Sequence, residues 1–417
     1  MITRSTCRPR AFLAIVLAFA WAPSTRGDDP PPVPSDPVFQ AIRTDGSTAS
    51  GRIRQIGPQG RVVLTDGATE TAIPLDRLVK LTREGDQHAA VPEGSLVLFP
   101  GGDRLRAQIG KSSETTLEVT AALLGEAPLA IPIDAPLALL LAPPADPAAH
   151  EAILAKLRDE PRKSEVLLTT SDDRLIGGFL GLGTDKVAFQ RENGPPEIDR
   201  ARVAAIEFDP SVANYPEPKG AWLEFTFLDG SRLGARSARV EHGQLVLETR
   251  FGATVKASIG LLSRVQARGG PVAYLADRKE AHAEYVGYLG EHRKSYGRNK
   301  TADGRVLKLG GQPYDRGLGT QSRTLLAYRL DPRDRRFQAA VGLDDRAGPL
   351  GSVVFRVLVD GKERAITPPM TARDAPRTLD VDLTGARVLI LATEFGDRGD
   401  VQDLADWIEA RIIRAPD

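Results

Sequence analysis

Four consecutive segments of the chain share one pattern, and this internal repeat limits the folds open to the first two thirds of the protein. Each segment, about 45 residues long, opens with a short apolar strand, reaches a tight turn and continues into further short strands. Asp-Gly pairs favour positive φ in hairpin turns, and the other turn pairs tolerate similar geometry. The segments, which we call repeats 1 to 4, begin at Val38, Leu96, Val166 and Trp222, and their turns are Asp45-Gly46, Gly102-Asp103, Asp172-Asp173 and Asp229-Gly230.

Four to five short strands in a segment of this size predict a small, strongly bent sheet or barrel, similar in outline to SH3-like or Sm-like barrels. Units this small bury little surface alone, so we expect them to pack in pairs or to share sheets. The chain has 40 glycines and 31 prolines with few helical patterns. The predicted fold class is therefore all-β, with tandem small β-barrel or bent-sheet repeats followed by a carboxy-terminal β-sandwich.

The connections between the repeats predict the domain boundaries. Asp146-Pro147 opens a predicted helix because Asp146 can cap it and proline suits the first helical position. This helix, residues 146–162, separates repeats 1 and 2 (38–145) from repeats 3 and 4 (163–270). The proline-rich stretch Asp209–Lys219 is interpreted as a linker, and Gly177–Gly183 as a bent strand.

The amino terminus has the three-part pattern of a secretory signal peptide. Arginines precede an apolar run from Ala11 to Ala22, which is too short to span a bilayer. We expect a signal peptide over 1–27 and a proline-rich linker over 28–37; the alternative is an uncleaved anchor. Cleavage would remove Cys7, the single cysteine, so the mature protein would lack disulfides. The expected location is the periplasm, the cell surface or the medium.

Charge and motif content disfavour several classes of function. The 55 basic and 55 acidic residues balance, so no attraction to nucleic acid or anionic lipid is expected. The five histidines lack metal-ligand spacing, no G-x-S-x-G elbow occurs, and isolated acids such as Glu165, Glu192 and Glu248 are typical of solvated surface. The repeats therefore predict a non-catalytic scaffold. A glycoside hydrolase would need two acids about 5–10 Å apart across a cleft.

A glycine-dense stretch, Gly310–Leu330, marks the start of the carboxy-terminal strands. Glycine at this density indicates positive φ or close backbone approach. Four pieces of the sequence resemble the NPCBM/NEW2 module, a family associated with carbohydrate binding and first noted beside family 98 glycoside hydrolases. They are Tyr314–Ser322 (YDRGLGTQS), Phe337–Asp345 (FQAAVGLDD), Gly351–Lys362 (GSVVFRVLVDGK) and Asp403–Trp407 (DLADW).

The resemblance covers residues 271–417 and implies a galactose-binding-like jelly roll whose loops, or concave face, hold the ligand. Sugar recognition needs planar polar side chains for vicinal hydroxyls and an apolar face for the ring. The candidate carbohydrate-binding residues are Tyr288, Arg298, Gln321, Arg323, Asp344, Asp345 and Arg346. Alternatively, Asp344 and Asp345 cap a turn. Gln321 departs from the histidine that many family members carry there.

The last loop, Thr393–Trp407, carries acids three residues apart. Calcium takes six to eight oxygen ligands on flexible loops. A structural calcium site is therefore one hypothesis and a solvated acidic loop is the other. The candidate ligands are Asp397, Asp400, Asp403 and Asp406. Trp407 is expected in the core.

These observations favour an exported, non-catalytic glycan-binding protein that binds a polysaccharide or glycan through its carboxy-terminal sandwich. A structural or protein-interaction scaffold of the cell envelope is the alternative, and a glycoside hydrolase is the third hypothesis. No nucleic-acid partner and no stable membrane insertion after cleavage are expected. No cofactor other than calcium is implied, and the oligomeric state is left open.

Overall fold

The computed structural model describes residues 37–57, 60–85, 94–125, 127–144, 146, 149–150, 153–154, 156–157, 163–194, 196–287, 296–397 and 399–415. The predicted signal peptide and most of the proline-rich linker lie outside the described residues. Residues 36–417 form one compact unit. Within the described part of the chain, no helix is long and apolar enough to cross a membrane.

Each repeat folds as a small set of antiparallel strands whose first and last members pair, as predicted for a bent sheet or barrel. Three of the four, repeats 1, 3 and 4, place a 3-10 turn directly before the last strand, at Leu75–Arg77, Arg200–Arg202 and Ile259–Leu261. Repeat 1 contains β1 (Val38–Arg43), β2 (Thr48–Ile56), β3 (Val62–Thr65), β4 (Glu70–Ile73) and β5 (Leu78–Arg83). Repeat 2 contains β6 (Leu96–Leu98), β7 (Arg104–Arg106), β8 (Gln108–Ser112), β9 (Thr116–Thr120), β10 (Leu129–Pro132) and β11 (Ala138–Leu140).

The second half of the repeat region follows the same plan. Repeat 3 contains β12 (Glu165–Thr169), β13 (Arg174–Leu182), β14 (Lys186–Gln190), β15 (Glu197–Asp199) and β16 (Val203–Glu207). Repeat 4 contains β17 (Trp222–Phe227), β18 (Arg232–Glu241), β19 (Gln244–Thr249), β20 (Thr254–Ser258) and β21 (Leu262–Arg268). The predicted bent strand is confirmed, because β13 pairs with β12 along its first half and with β14 along its second.

The last strands of the repeats join the repeats to one another. Strand β5 pairs with β21, and β11 pairs with β16. Repeat 1 therefore shares strands with repeat 4, and repeat 2 with repeat 3. One apolar cluster contains buried residues of all four repeats, among them Phe39, Leu105, Phe189 and Phe225. The expectation that such small units share sheets is confirmed, because only the joined repeats enclose a core of this size.

The segment between repeats 2 and 3 has helical residues at 149–150, 153–154 and 156–157. The Asp146 carboxylate accepts a hydrogen bond from the Ala149 N–H at 2.8 Å, as predicted for a capping residue. Leu157 is buried against Leu96 and Leu140. The rest of the predicted helix lies outside the described residues.

The carboxy-terminal region folds as a β-sandwich of two main sheets, which we call the module. The six-stranded sheet has the order β24-β27-β34-β29-β32, with β22 also pairing β34, and the five-stranded sheet has the order β23-β28-β33-β30-β31. The strands are β22 (Val272–Tyr274), β23 (His282–Tyr285), β24 (Tyr296–Arg298), β25 (Leu307–Leu309), β26 (Gln312–Tyr314), β27 (Gly317–Thr320), β28 (Thr324–Arg329), β29 (Asp334–Leu343), β30 (Val353–Val359), β31 (Lys362–Ile366), β32 (Arg377–Asp382), β33 (Val388–Phe395) and β34 (Ala405–Arg414).

The core of the module contains the large residues that the sequence predicted for it. Tyr328, Phe337 and Trp407 are fully buried. Trp407 stacks edge-on against Phe355 with ring centres 5.1 Å apart. Its indole N–H donates to the Thr393 hydroxyl at 3.0 Å. The ring therefore has both an apolar packing partner and a satisfied donor, which explains why tryptophan suits this position.

A ladder of alternating arginine and aromatic side chains joins the repeats to the module. Its guanidinium carbons lie 4.3 to 6.0 Å from the ring centres, within the range of cation–π attraction. We call this set the arginine–aromatic ladder. It comprises Tyr215, Arg250, Trp222, Arg268, Tyr274 and Arg316.

Ion pairs reinforce the junction between the repeats and the module. The Lys80 ammonium contacts the Glu409 carboxylate at 2.7 Å. Arg232 and Arg264 lie 3.7 and 3.8 Å from the Asp315 carboxylate. Asp315 belongs to the family-like segment YDRGLGTQS. Part of that segment therefore holds the module against repeat 4.

Candidate functional site

One end of the sandwich gathers the connections in which most of the predicted site residues lie. Thr320 pairs with Ala405, and Thr324 pairs with Thr393. The end of β29 also lies beside the start of β34, because Leu343 pairs with Ala405. The turn 321–323 and the loops 344–352 and 396–404 consequently project from the same end of the module, which we call the loop end.

The outer face of the six-stranded sheet is covered and so offers little surface to a ligand. The β25–β26 hairpin packs Leu307 and Leu309 onto Ile408 of that face. Farther along β34, Lys80 of repeat 1 reaches Glu409. The loop end is therefore the more accessible place for the predicted contacts.

Arg323 is the predicted residue whose side chain is most available at the loop end. It is exposed, and its guanidinium makes no hydrogen bond or ion pair with the described residues. Its backbone is held on both sides, because the Thr324 N–H donates to the Gln321 carbonyl and the Val286 N–H to the Arg323 carbonyl, each at 3.1 Å. A φ of 60° places Arg323 in the left-handed region, an unusual conformation for a side chain of this size. Gln321 is half-buried in the same turn.

Asp344, Asp345 and Arg346 form a clasp that holds the β25–β26 hairpin. Asp344 is fully buried and accepts hydrogen bonds from the Lys308 N–H at 2.9 Å and from the Arg346 side chain at 2.8 Å. Although burial raises the pKa of Asp344, the hydrogen bonds from Arg346 and Lys308 outweigh it and lower that pKa.

Asp345 completes the clasp from the surface. Its two carboxylate oxygens accept from the N–H groups of Gly310 and Gly311, both at 2.8 Å. Both glycines have positive φ, as their density predicted. In this structure Asp345 therefore caps a turn, which was the alternative to a role in sugar binding.

The other two predicted polar contacts lie elsewhere. Arg298 is half-buried and forms an ion pair with Glu280 at the side of the sandwich. The structure thus does not bring Arg298 into the 321–323 turn. Tyr288 lies outside the described residues.

The four acids proposed for calcium do not converge. Asp403 and Asp406 are buried, whereas Asp397 is exposed and Asp400 is half-buried. Among the described residues, no group of three or more His, Cys, Asp or Glu side chains is placed to share a metal ion. Calcium binding by this loop stays a prediction, with loss of thermal stability on chelation as its signature.

Asp403 and Asp406 have separate surroundings inside the module. One Asp403 oxygen accepts from the Ser352 N–H at 2.7 Å, which ties the acidic loop to the start of β30. Burial and the neighbouring Asp344 carboxylate raise the pKa of Asp406 well above its usual value. A protonated Asp406 can donate to Asp344, so the buried pair need carry only one negative charge.

Two exposed aliphatic side chains at the loop end escaped the sequence analysis. Leu350 is 45% exposed and Val401 is 47% exposed. Their loops touch, since the Leu350 N–H donates to the Gln402 side-chain oxygen at 3.1 Å. The sequence signal that could have identified them is an apolar residue flanked by glycine, proline or aspartate within a predicted loop. Such an aliphatic patch can cover the C–H face of a sugar ring.

A second pair of acids lies in the repeat region. Burial, together with the charge of Glu224, raises the pKa of Asp103. Both carboxylates are enclosed, with 0 and 2% exposure. Asp103 accepts from the Tyr215 hydroxyl at 2.5 Å and from the Gly234 N–H at 2.8 Å, and Arg268 lies 3.7 Å from Glu224. This pair therefore lies in a packed interior instead of across a cleft.

Comparison with known proteins finds a family match for the carboxy-terminal region. Residues 273–413 match the family model of the NPCBM/NEW2 domain. A relative in Renibacterium salmoninarum, named "Putative endo-alpha-N-acetylgalactosaminidase", is 31% identical over 123 residues, which are 30% of this chain and 8% of that protein. This chain therefore matches only a small part of the relative's length.

Two solved structures of carbohydrate-binding modules are among those similar to the chain. A CBM51 module of a Clostridium perfringens GH95 protein, in complex with methyl-galactose, has a TM-score of 0.31 at 22% identity and covers 34% of this chain and 99% of that one. A CBM51-2 and INT structure from Clostridium perfringens ZmpB, in complex with GlcNAc, has a TM-score of 0.31 at 20% identity and covers 44% of each chain. The carboxy-terminal third of this chain thus matches the NPCBM/NEW2 domain over residues 273–413.

Proposed function

We propose that the protein is an exported, non-catalytic glycan-binding protein whose module holds carbohydrate at its loop end. The observation that carries this proposal is the match of residues 273–413 to the NPCBM/NEW2 domain. The resemblance of that domain to carbohydrate-binding modules supports saccharide as the ligand class. Export is proposed from the signal-peptide pattern of residues 1–27.

The chemistry of the loop end suits a hydroxylated ring. Arg323 offers a planar set of N–H donors on an exposed turn, and none of them is bonded to a residue that the structure describes. A guanidinium can donate two parallel hydrogen bonds to neighbouring hydroxyls. Leu350 and Val401 supply exposed apolar surface on the adjoining loops. We assign Arg323 the polar contact and the aliphatic pair the contact with the ring face.

The proposal of a non-catalytic role is supported by the acids in the repeats. A glycoside hydrolase needs a carboxylic acid and a carboxylate on opposite sides of an accessible bond. Asp103 and Glu224 are enclosed and bonded to tyrosine, backbone and arginine. A substrate cannot reach them without disruption of the core. Hydrolysis of a glycoside by the purified protein would contradict this role.

Titration of the full chain with saccharides tests the proposal. Galactose and N-acetylglucosamine are the first probes, and a broad glycan array follows. Replacement of Arg323 by alanine should weaken binding about tenfold, the cost of a charge-assisted hydrogen bond. Arg329→Ala, at the opposite end of β28, is the matched control and should bind like the wild type.

Two results would count against the proposal. Failure of the wild-type chain to bind any saccharide on the array would remove glycan binding itself. Equal affinities of Arg323→Ala and wild type for a bound sugar would move the site away from this turn. Self-association without glycan binding would instead favour the alternative, a scaffold of the cell envelope.

A further inference from the structure

Repeat 1 contains an open cleft that the module site does not involve. Its volume is about 580 Å³, within the range of small-ligand pockets. One wall is the turn that carries Arg43 and Asp45, and the other is the segment from Ile73 to Arg77. The cleft thus lies between the first turn of the repeat and the connection from β4 to β5.

Backbone hydrogen bonds hold the two walls together. The Thr44 N–H donates to the Arg77 carbonyl at 3.0 Å and so joins the two walls. The Gly46 N–H closes the turn on the Arg43 carbonyl at 2.9 Å. The Asp45 carboxylate accepts from the Ser47 N–H at 2.9 Å. The cleft is therefore formed before any ligand arrives, which lowers the entropic cost of binding.

The lining presents two donor side chains and two acceptor side chains. Arg43 and Arg77 can only donate, whereas Asp45 and Asp76 can only accept while ionised. Hydrogen bonds from Ser47 and the charges of both arginines lower the pKa of Asp45, so that carboxyl is ionised near neutral pH. The side chains of Asp76 and Arg77 make no hydrogen bond or ion pair with the described residues.

This balance identifies the chemical class of ligand. With two positive and two negative groups, the cleft attracts neither anions nor cations strongly. A hydroxyl both donates and accepts, so a pair of neighbouring hydroxyls can bridge a guanidinium and a carboxylate. Pro74 is exposed beside them and offers a small apolar surface to a ring.

We infer that repeat 1 carries a second, independent binding site for a neutral saccharide, in the cleft between the Arg43–Asp45 turn and the Pro74–Arg77 segment. The protein is then bivalent, with one site in the repeats and one in the module. Binding of one polysaccharide at two places raises the overall affinity without any new contact, provided that the chain of sugars spans both sites.

An extended peptide is the alternative class of ligand for this cleft. Strand β4 borders the cleft and pairs on one side with β3. A peptide can add to such an edge through backbone hydrogen bonds. However, β4 has only four residues and ends at Ile73, and the next residue, Pro74, cannot donate a backbone hydrogen bond. The side chains that line the cleft therefore favour a saccharide over a peptide.

The test uses the full chain on an array of neutral, uronic-acid-containing and sulfated oligosaccharides, with an extended-peptide array beside it. Arg77→Ala should lose a set of neutral-sugar signals that Arg323→Ala retains. Titration of one of those sugars should show an affinity at least about tenfold weaker for Arg77→Ala. Arg54→Ala, an exposed arginine of β2 outside the cleft, should keep the wild-type pattern.

The outcomes separate this site from the module site. Loss of saccharide signals in Arg323→Ala alone would overturn the inference and support the module site. Loss of saccharide signals in Arg77→Ala alone would support the inference and count against the module site. Peptide binding that depends on Arg77, without any saccharide binding that depends on it, would also overturn the inference. So would an Arg77→Ala variant that loses binding only to the charged sugars. If Arg77→Ala lowers the melting temperature, Asp76→Asn provides the same comparison.

Discussion

At the scale of single residues, the glycines of the module show which positions the fold requires. A Cβ on Gly319 would lie 2.3 Å from the Thr301 Cα and 2.5 Å from the Lys300 carbonyl oxygen. Both atoms belong to backbone, which cannot move aside as a flexible side chain does. Gly311 needs glycine for a different reason, because its φ is 80° while the space around it is open.

Gly319→Ala should therefore destabilise the protein far more than Gly311→Ala. Overpacking against fixed backbone predicts a loss of about 3 kcal/mol or more for Gly319→Ala. The left-handed conformation predicts a loss of about 1 kcal/mol for Gly311→Ala. Urea unfolding of both variants measures the difference. Equal losses would mean that the backbone at residues 300–301 relaxes around the added methyl.

Acid should weaken the contact between Lys80 and Glu409. Burial alone would raise the pKa of Glu409, but the charges of Lys80 and Arg411 lower it to about 2. Because the folded pKa is depressed, the stabilisation is complete above the ordinary pKa of 4.5 and is lost as the pH falls toward 2. By pH 3 roughly 2 kcal/mol of it should be gone.

Glu409→Gln tests this dependence, because glutamine cannot titrate. The variant should be less stable at pH 6, since the partly buried Lys80 loses its charged partner. Between pH 6 and pH 3, however, its free energy of unfolding should fall by roughly 2 kcal/mol less than that of the wild type. Parallel stability curves for the two proteins would show that Glu409 does not contribute to acid sensitivity.

At the scale of elements, the β25–β26 hairpin illustrates how polar groups position an apolar cover. Leu307 and Leu309 pack on Ile408, and the clasp of Asp344, Asp345 and Arg346 fixes the hairpin at its other side. The pair Asp344-Asp345, part of the family-like segment FQAAVGLDD, therefore accepts hydrogen bonds from backbone N–H groups of the hairpin. This contact requires that the two segments, over thirty residues apart in the chain, meet in the fold.

Asp345→Ala should consequently destabilise the β25–β26 hairpin without lowering the affinity for sugar. Loss of two charge-assisted hydrogen bonds predicts destabilisation of about 1–3 kcal/mol. Limited proteolysis should then cut within Leu307–Tyr314, while affinity for a bound sugar stays at the wild-type value. Asp374→Ala, which removes a similar cap at Thr371, is the control and should leave the hairpin resistant. A sugar affinity lost in Asp345→Ala without new cleavage would restore Asp345 as a ligand contact.

At the scale of the whole molecule, the repeats and the module form one body. The arginine–aromatic ladder runs from the linker before repeat 4 into the module. Arg268 lies at its centre, between Trp222 and Tyr274 and within 3.8 Å of both Glu224 and Asp277. Arg268 therefore balances the charge of the buried Glu224 and of the exposed Asp277, and it links repeat 4 to the module.

Arg268→Ala should therefore uncouple the two parts. Removal of one partner of a buried ion pair typically costs about 3–5 kcal/mol, because the other charge stays buried. Calorimetry should then resolve two unfolding transitions where the wild type shows one. Arg239→Ala breaks an exposed pair with Glu241 and should cost at most about 1 kcal/mol. A single transition in Arg268→Ala would mean that other contacts hold the junction.

The loop end of the module could be predicted only in part from the sequence. The order of motifs indicated the module and placed Gln321 and Arg323 on a turn, because glycine and strand patterns are local signals. The sequence offered turn capping as one role for Asp344 and Asp345 but could not choose between this role and sugar binding. It also could not identify the partners of these residues and of Arg298, since Lys308, Gly310 and Glu280 are distant in the chain. Leu350 and Val401 were missed because exposure of an apolar side chain depends on how two loops meet.

By itself the sequence determined the all-β class, the four repeats, the boundaries of many strands, the family of the last third and core residues such as Trp407. Each follows from alternation of apolar residues, turn chemistry or motif order, which act over a few neighbouring positions. Only the tertiary structure decided that repeat 1 pairs with repeat 4 and that an arginine–aromatic ladder joins the repeats to the module. The open cleft in repeat 1 is likewise a result of the tertiary structure. Such features depend on long-range packing and burial of charge, for which a one-dimensional pattern carries no signal.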